Sequence, residues 1–531
     1  MTAVQQTPRA EIERPKQLLL RAGLTLVGAA AVSKLMTIAA DSFVAARFGL
    51  TVDADAYLLA IGLVGAILAA PSETLRLAIV PVCGRYLQRG DRRSASGVLL
   101  FVLISAVALG CAAALALVVS VPWLARVVAP GFSAEGMDTL ARLMRVLAPS
   151  LVIGLVMALL LGVLHTQLRF GVPGLAGIGV GAGVIGMGLL LGGTLGVTSL
   201  AVGYVAGMAG GVALLAWLSH GVFREGVSLR TARKDMRPFL RLALPTGFAI
   251  SIVSLGAVVE RAVASATGAG NVAALGFAIK LITQASLLSQ SIWTPLTPLL
   301  TATGASTADQ GGPQLVPFSL RLVLLVLAPA TALLIALREP LVGVIFQHGA
   351  FTAADTESTA MLLALHSGSL PGEGLFMVAV AALLSFHDPS TRLIASGLLI
   401  GSKVGLMAVL APLIGVAGIA LAASVSSLLA GAFAVRMLAR RFAPGEMKAL
   451  TLLGGKAVLA GLAVLVAAWT LSAFVSIGSG GGESFGTRLL QLVVGTTGAS
   501  IVYVGALVLL DVEEGKLALA RLGTTLGRSR P

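Results

Sequence analysis

Charge is what this 531-residue chain has least of: Asp, Glu, Lys and Arg together make 11% of it, and aromatic residues 5%. A soluble domain carries roughly 25% charged and about 45–50% apolar residues, whereas here the apolar share is 57%. That excludes a water-soluble enzyme, and it excludes disorder, which needs low hydrophobicity and high charge. The two cysteines, Cys83 and Cys111, lie in or beside apolar runs and supply neither a disulfide framework nor metal-ligand spacing. No phosphate-binding P-loop is present: the Gly-Gly-Lys at 454–456 lacks the earlier glycine, position 450 being Leu450, and Ala457 replaces the required Ser or Thr. HExxH, CxxC and GxSxG are absent as well. No polar stretch is long enough for a catalytic or nucleotide-binding domain, so the reading is of a non-enzyme without cofactor or metal.

What the chain has is long apolar runs. A bilayer-spanning helix takes about 20 apolar residues. Fourteen such runs are predicted, at 18–48, 55–84, 95–120, 139–165, 172–192, 196–219, 238–266, 272–302, 316–337, 357–386, 392–412, 415–439, 450–476 and 487–511. They are unbroken rather than alternating with period two, which argues against an outer-membrane barrel. The 64 glycines suit helices packed closely in lipid. The fifth run is the richest in them (171–188), predicting close packing there, with a flexible gating helix as the sharper alternative.

Net charge is +14. In a soluble protein this would suggest nucleic acid; here basic residues in loops set orientation. With the N-terminus in the cytoplasm, the cytoplasmic segments hold Arg9, Arg14 and Lys16, then Arg85, Arg89, Arg92 and Arg93, and Arg169. Further along they hold five basic residues within 224–237, three within 440–448 and four within 516–530. The opposite loops hold little beyond Arg126, Arg338 and Arg488. An even span number with both termini inside follows. Residues 1–16 carry Glu11 and Glu13 among the basics, unlike a cleavable signal. The polar stretch 220–237 marks a boundary between an N-lobe (1–220) and a C-lobe (238–441), with 221–237 as a basic linker. Residues 442–531 form two further spans and a tail, and 476–485 is a glycine-rich loop.

The two halves repeat each other. Residues 124–144 match 341–363, aligning Phe132 with Phe351 and Ser133-Ala134 with Thr352-Ala353. Each reads as an interfacial turn, a Ser/Thr N-cap, an acidic first turn (Glu135, Asp355) and a helix. The same register sets Asp41 opposite Glu260. Two like six-span bundles of one orientation imply a pseudo-twofold axis along the membrane normal, a transporter construction with its site at the repeat interface.

Residues 20–60, 338–356 and 381–396 resemble motifs of the MurJ/MviN lipid II flippases: the first helices, the segment before the tenth helix, and a short Asp-Thr-Pro turn that reads Asp388-Pro389-Ser390 here. The resemblance covers roughly residues 18–440. It implies the fourteen-helix MOP exporter fold, an all-α polytopic membrane protein of two pseudo-symmetric six-helix lobes plus two C-terminal helices. It also implies movement of undecaprenyl-pyrophosphate-linked sugars from the inner to the outer leaflet of a bacterial inner membrane. In that family basic cavity residues hold the pyrophosphate. The family's Ser-Arg position is Lys34 here. The Arg-Asp pair reads Ala40-Asp41, and the Asp-Arg pair of the eighth helix reads Ile279-Lys280. The paired arginines of the second helix and the basic residue of the tenth have no match. Asp55 matches the family's Asp-Ala-Phe position. The implied partners are a lipid-linked oligosaccharide, membrane lipids and glycan-synthesis enzymes, not nucleic acid. Rival readings are a flippase for an exopolysaccharide or O-antigen unit, a drug/sodium antiporter of the same superfamily, and a non-transporting scaffold of a glycan-synthesis complex.

A charge inside a bilayer costs at least ~2.5–3.5 kcal/mol and needs a partner or a wet cavity. Lys34 and Lys280 are the expected phosphate ligands, Lys34 alternatively pairing with Asp41 two turns on. Asp55 and Arg76 are further substrate-binding candidates, though Arg76 stands i,i+3 from Glu73 and a local pair is the plainer reading. Asp41, Glu260 and Arg261 are gating candidates, with Asp41–Arg261 as a cross-lobe pair or static glue. Glu373 follows Pro371 and Gly372, where a broken helix facing a cavity is expected. Lys403 is alone in its span, either neutral or facing a groove. His366 and His387 read as satisfied core or interface histidines ahead of proton carriers. Arg21 is placed to snorkel to the headgroups.

Overall fold

The computed structural model describes residues 32–88, 91–166, 173–220, 247, 250–302, 312–385, 389–440, 444–479 and 484–512. Among these the chain is helix joined by short turns, with no strand. In lipid, helix is the form that satisfies every backbone group within one segment. In order, the first half contains α1 (32–48), α2 (Val52–Gln88), α3 (Arg92–Val128), α4 (Ala134–Leu147), α5 (Pro149–Thr166), α6 (Pro173–Leu195) and α7 (Thr198–Ser219). The second half contains α8 (250–265), α9 (Asn271–Ala285), α10 (Leu287–Ala302), α11 (Gly312–Ala336), α12 (Arg338–Phe346), α13 (Ala353–Ser367), α14 (Ser369–Ser385), α15 (Pro389–Ile414) and α16 (Val416–Ala439). Two long helices follow, α17 (Pro444–Gly478) and α18 (Phe485–Leu509).

Among the described residues nine helices are long and apolar enough to cross a membrane, or eleven if the bent pairs α4–α5 (41°) and α9–α10 (43°) each form one span. The other three expected spans fall on α1 and α8, which adjoin residues outside the described set, and on α13–α14. Helices α13 and α14, of 15 and 17 residues, are each too short to qualify alone. The 221–237 linker, the 303–311 loop, Arg21, Arg169, His387 and both termini lie outside the described residues. The bend between α4 and α5 is dictated by Pro149, which has no N–H to continue the ladder. The expected break at Pro371-Gly372 sits earlier, at Gly368. Pro371 then falls in the first turn of α14, where its missing N–H costs nothing, and Gly372 lets the backbone of α14 close on Ser427 of α16.

The repeat is visible in the packing. In the first half α5 lies against α2, α3 and α7, and α7 against α6. In the second, α14 lies against α10, α11 and α16, and α16 against α15. The two predicted caps match too. Ser133 accepts from the Gly136 N–H at 3.3 Å and Thr352 from the Asp355 N–H at 3.2 Å, the latter closed into a capping box by Asp355 accepting from the Thr352 N–H at 2.8 Å. The glycines of α6 do pack closely: a Cβ on Gly179 would stand 3.1 Å from the Gly207 carbonyl oxygen of α7. Helices α17 and α18 pair with each other and lean on α11 and α12, with Arg321 of α11 ion-paired to Glu446 of α17.

The buried apolar residues divide unevenly. One large cluster draws on both lobes at the end bearing the 49–51, 129–133, 266–270 and 347–352 turns, joining Tyr57, Leu143 and Val184 to Phe277, Phe346 and Ile419. Toward the opposite end the clusters separate by lobe. One holds Ile79, Leu99 and Leu159 of the N-lobe, another Leu296, Leu320 and Leu383 of the C-lobe. The lobes are thus cemented at one end.

Candidate functional site

The cemented end is held by polar contacts as well as apolar ones. Asp55, in the first turn of α2, is buried and accepts from the backbone N–H groups of Gly270 and Ala273, each at 2.6 Å, so it caps α9 of the opposite lobe. An anion on a helix N-terminus is favoured by the unpaired donors and the helix dipole. Both carboxylate oxygens are engaged in this way, so Asp55 joins the lobes here. The Ala350 N–H donates to the Ala46 carbonyl at 2.8 Å across the same seam. Gly270 is required there: its φ is +81°, and a Cβ would stand 2.7 Å from the Leu50 carbonyl oxygen. Gly49 is required for the same reasons, with φ +57° and the Ala350 carbonyl oxygen 2.7 Å from a Cβ position.

Deeper along the lobe interface, Lys280 of α9 donates to Asp41 of α1. This is a salt bridge between lobes, with Asp41 mostly buried and Lys280 more open. Lys280 also lies 5.9 Å from the Phe277 ring centroid, and the buried Tyr57 stands close enough to feel the Asp41 charge. Lys34 is half-buried on α1 and has no ion-pair partner among the described residues. It stands two turns before Asp41, about 10 Å along the axis, so it acts on that carboxylate through space rather than by contact. The expected Asp41–Arg261 pair is therefore replaced by Asp41–Lys280. Arg261 instead donates to its own helix at the Ala257 carbonyl (3.0 Å) and lies against Gly62 of α2, where no side chain blocks it.

A second polar cluster sits inside the C-lobe. Glu260 of α8 is 3% exposed and ion-paired to Lys403 of α15. His366 of α13, also buried, places Nδ1 3.8 Å from Glu260 Oε1. Glu373 of α14 is half-buried and close enough to interact with both Lys403 and Glu260. Sequence reasoning weighed these four residues separately and missed that they converge, because four different helices contribute them. The signal available was that each is a polar residue in an apolar run within one half of the repeat. Glu73 and Arg76 form the local pair, with Arg76 Nε 3.0 Å from Glu73 Oε2, both one-third exposed. Two surface hollows, of about 510 and 370 Å³, lie near the cemented end and are lined by neither Lys34 nor Lys280.

The profile of the family described as "Lipid II flippase MurJ" matches residues 44–482. The lipid II flippase MurJ of Burkholderia cenocepacia is 25% identical over 467 residues, covering 84% of this chain and 89% of that protein. A probable lipid II flippase MurJ of Thermotoga maritima is 27% identical over 304 residues, covering 57% and 61%. Among solved structures, a lipid II flippase MurJ in an inward closed conformation superposes with a TM-score of 0.69 at 20% identity, covering 90% of this chain and 98% of that one. An inward-facing MATE-family multidrug transporter of the MOP superfamily gives 0.67 at 16%, covering 82% and 98%.

Proposed function

The chain belongs to the lipid II flippase MurJ family, and from that premise we propose that it carries lipid II from the inner to the outer leaflet of the bacterial inner membrane by alternating access. It is a multi-pass transporter and not an enzyme. The lobes that move are 1–220 and 238–441, joined through 221–237, with 442–531 riding on the C-lobe. Both termini are cytoplasmic, so the cemented end faces outward and the end where the apolar clusters separate by lobe faces the cytoplasm.

The observation that carries the mechanism is the Lys280–Asp41 bridge between lobes with Lys34 nearby. A pyrophosphate entering from the cytoplasm competes with Asp41 for Lys280 and draws on Lys34. Lysine serves here as a strongly hydrated point charge where arginine would be a fork. When the Lys280 ammonium turns to phosphate it leaves Asp41, so the substrate weakens the closed seam in proportion to its preference for the unpaired lysine. That differential is what a ligand needs to shift a conformational equilibrium. The undecaprenyl tail stays in lipid against α17 and α18.

The test is rescue of a MurJ-depleted bacterium by wild type, Lys34→Ala and Lys280→Ala, with membrane insertion checked for each. Rescue by wild type and by neither variant supports both cargo and site. Failure of well-inserted wild type overturns lipid II as cargo, and surface polysaccharide in a deletion strain then reads out another lipid-linked glycan or a glycan-synthesis complex.

A further inference from the structure

The smaller of the two hollows, about 370 Å³, lies between the C-lobe and the α17–α18 pair. One wall is the corner where α12 and α13 begin, with Arg338, Glu339 and Glu357. The other is the inner face of the pair, with Trp469, Ser472 and Ser476 of α17 and Arg488 and Gln491 of α18. Its volume falls at the lower end of the range for small-molecule sites, about 300–1,000 Å³. None of these residues takes part in the Lys280–Asp41 bridge.

What reaches the hollow is set by the outside of the same turns. Phe474 and Ile477 of α17, and Phe485, Leu489 and Leu490 of α18, are exposed. Each stands within one helical turn of a residue that lines the hollow. Lipid therefore covers the outer face of the pair at the level where its inner face is polar. Trp469 lines the hollow and is exposed as well, and tryptophan is enriched where headgroups begin. A polar hollow bordered by lipid-facing side chains suits a molecule with a polar head and an apolar tail.

The charges narrow the class. Arg488 is anchored, donating to the Gln347 side chain at 2.5 Å and lying against Gly343. Arg338 gives one N–H to the Ile335 carbonyl at 3.1 Å, and its other terminal nitrogen stands 3.1 Å from Glu339. A guanidinium carries five N–H groups, so donors remain. Glu357 is exposed and has neither ion pair nor hydrogen bond among the described residues, and the Ser472 hydroxyl has no hydrogen-bond partner there. A phosphodiester takes guanidinium donors, and a primary ammonium takes carboxylate oxygens. A headgroup with both answers both signs. A purely anionic one sets its charge against Glu357. A quaternary ammonium is held by a cage of aromatic faces, and Trp469 is the one ring among the described lining residues.

We propose that this hollow binds a phosphoethanolamine-headed phospholipid. The phosphate meets Arg338, the ammonium meets Glu357, and the acyl chains lie in the bilayer beside Trp469. Bound in this way, the lipid ties the α17–α18 pair to the C-lobe at the end opposite the Arg321–Glu446 ion pair. Under the orientation proposed above it is a lipid of the outer leaflet.

The experiment takes native mass spectra of the full chain in detergent. The chain is first incubated with equal amounts of phosphatidylethanolamine, phosphatidylcholine and phosphatidylglycerol of identical acyl chains. One phosphatidylethanolamine per chain is expected, retained about tenfold over either rival, the worth of one charge-assisted hydrogen bond. Glu357→Gln, isosteric at an exposed position, is expected to lose that preference while holding phosphatidylcholine as the wild type does, which also shows that it is folded. Arg338→Gln is expected to weaken all three lipids alike. Glu135→Gln, in the other hollow, is expected to change nothing. Equal retention of the three lipids by wild type, a preference for phosphatidylglycerol, or a preference that survives Glu357→Gln overturns the proposal. Binding of free O-phosphoethanolamine as tight as that of the lipid overturns it too, since the ligand is then a soluble zwitterion. None of these outcomes depends on rescue of MurJ-depleted cells, so the lipid site and the cargo stand or fall separately.

Discussion

Asp41 and Glu260 occupy equivalent places in the two repeats, yet Asp41 takes its lysine from the other lobe and Glu260 from its own. The reason lies in the cations. Position 184, equivalent to Lys403, is Val184, so the N-lobe offers Asp41 no ammonium on α6. Position 61, equivalent to Lys280, is Ile61, so Glu260 meets no cross-lobe lysine from α2. The acids are symmetric and the bases are not. One pair therefore spans the two lobes and the other lies within one.

Exchanging the cross-lobe pair separates gate from ligand. Asp41→Lys with Lys280→Asp restores a bridge of opposite polarity. A bridge that serves only as a gate gives a double variant within about twofold of wild-type flipping. A Lys280 that also binds pyrophosphate leaves the double variant as inactive as Lys280→Ala, a loss of roughly tenfold or more, which is the worth of one or two charge-assisted hydrogen bonds. Flipping of fluorescent lipid II in proteoliposomes distinguishes the two.

Giving the N-lobe the missing cation should loosen the lobes. Val184→Lys places an ammonium where Lys403 stands in the other repeat, so Asp41 acquires an in-lobe partner and Lys280 is released. A cysteine at Ser265, buried beneath Gly131 at the cemented end, is expected to react several-fold faster with a membrane-impermeant maleimide in this variant. An unchanged labelling rate would mean that Asp41 keeps Lys280.

Removing the cross-lobe cap should act in the same direction by another route. Asp55→Asn keeps the shape but loses the charge that holds the Gly270 and Ala273 N–H groups. The loss of a cap is worth about 1 kcal/mol, roughly a fivefold shift toward separated lobes. The same cysteine assay at position 265 checks it, and if both Asp55 oxygens serve only the cap, flipping activity is expected to fall less than labelling rises.

Gly270→Ala should be more damaging than Asp55→Asn. The residue must hold φ near +81° and also avoid the Leu50 carbonyl oxygen. The left-handed conformation alone costs roughly 1–2 kcal/mol for a residue with a Cβ. A thermal midpoint in detergent lower than that of Asp55→Asn is the expected result. An unaltered midpoint would show that the turn has room to relax.

Asp91 provides a cap at the opposite end. It caps α3 by accepting from the Ser94 N–H at 3.1 Å, and hydrogen bonds from Ser94 hold its carboxyl below the usual aspartate range. A carboxyl lowered in the folded state stabilises fully above its unfolded value and loses that contribution only as pH falls through the folded one. Between about pH 5.5 and 8.5 the cap is therefore constant, and Asp91→Asn is expected to leave any pH dependence of the thermal midpoint in detergent unchanged.

The order of apolar runs, the 132/351 repeat and the Ser133 and Thr352 caps were legible in the amino-acid sequence. Each depends on neighbours within one turn of helix or on the demand that lipid makes of every backbone group. Lys34, Asp41, Lys280, Glu260 and Glu373 stood out for the same local reason, as charges in apolar runs. Their partners did not. Asp41 stands as near Arg261 as Lys280 on any linear reckoning, and only the crossing of α1 over α9 chooses Lys280, while Arg261 is drawn to the gap above Gly62. Asp55 stood out by its match to the family's Asp-Ala-Phe position, and a carboxylate at one helix start says nothing about another helix start more than two hundred residues away. The convergence of Glu260, His366, Glu373 and Lys403 needed four helices to be packed before it existed. Backbone satisfaction and hydrophobic periodicity are local and therefore written along the chain, whereas charge pairing is decided by which helix faces meet.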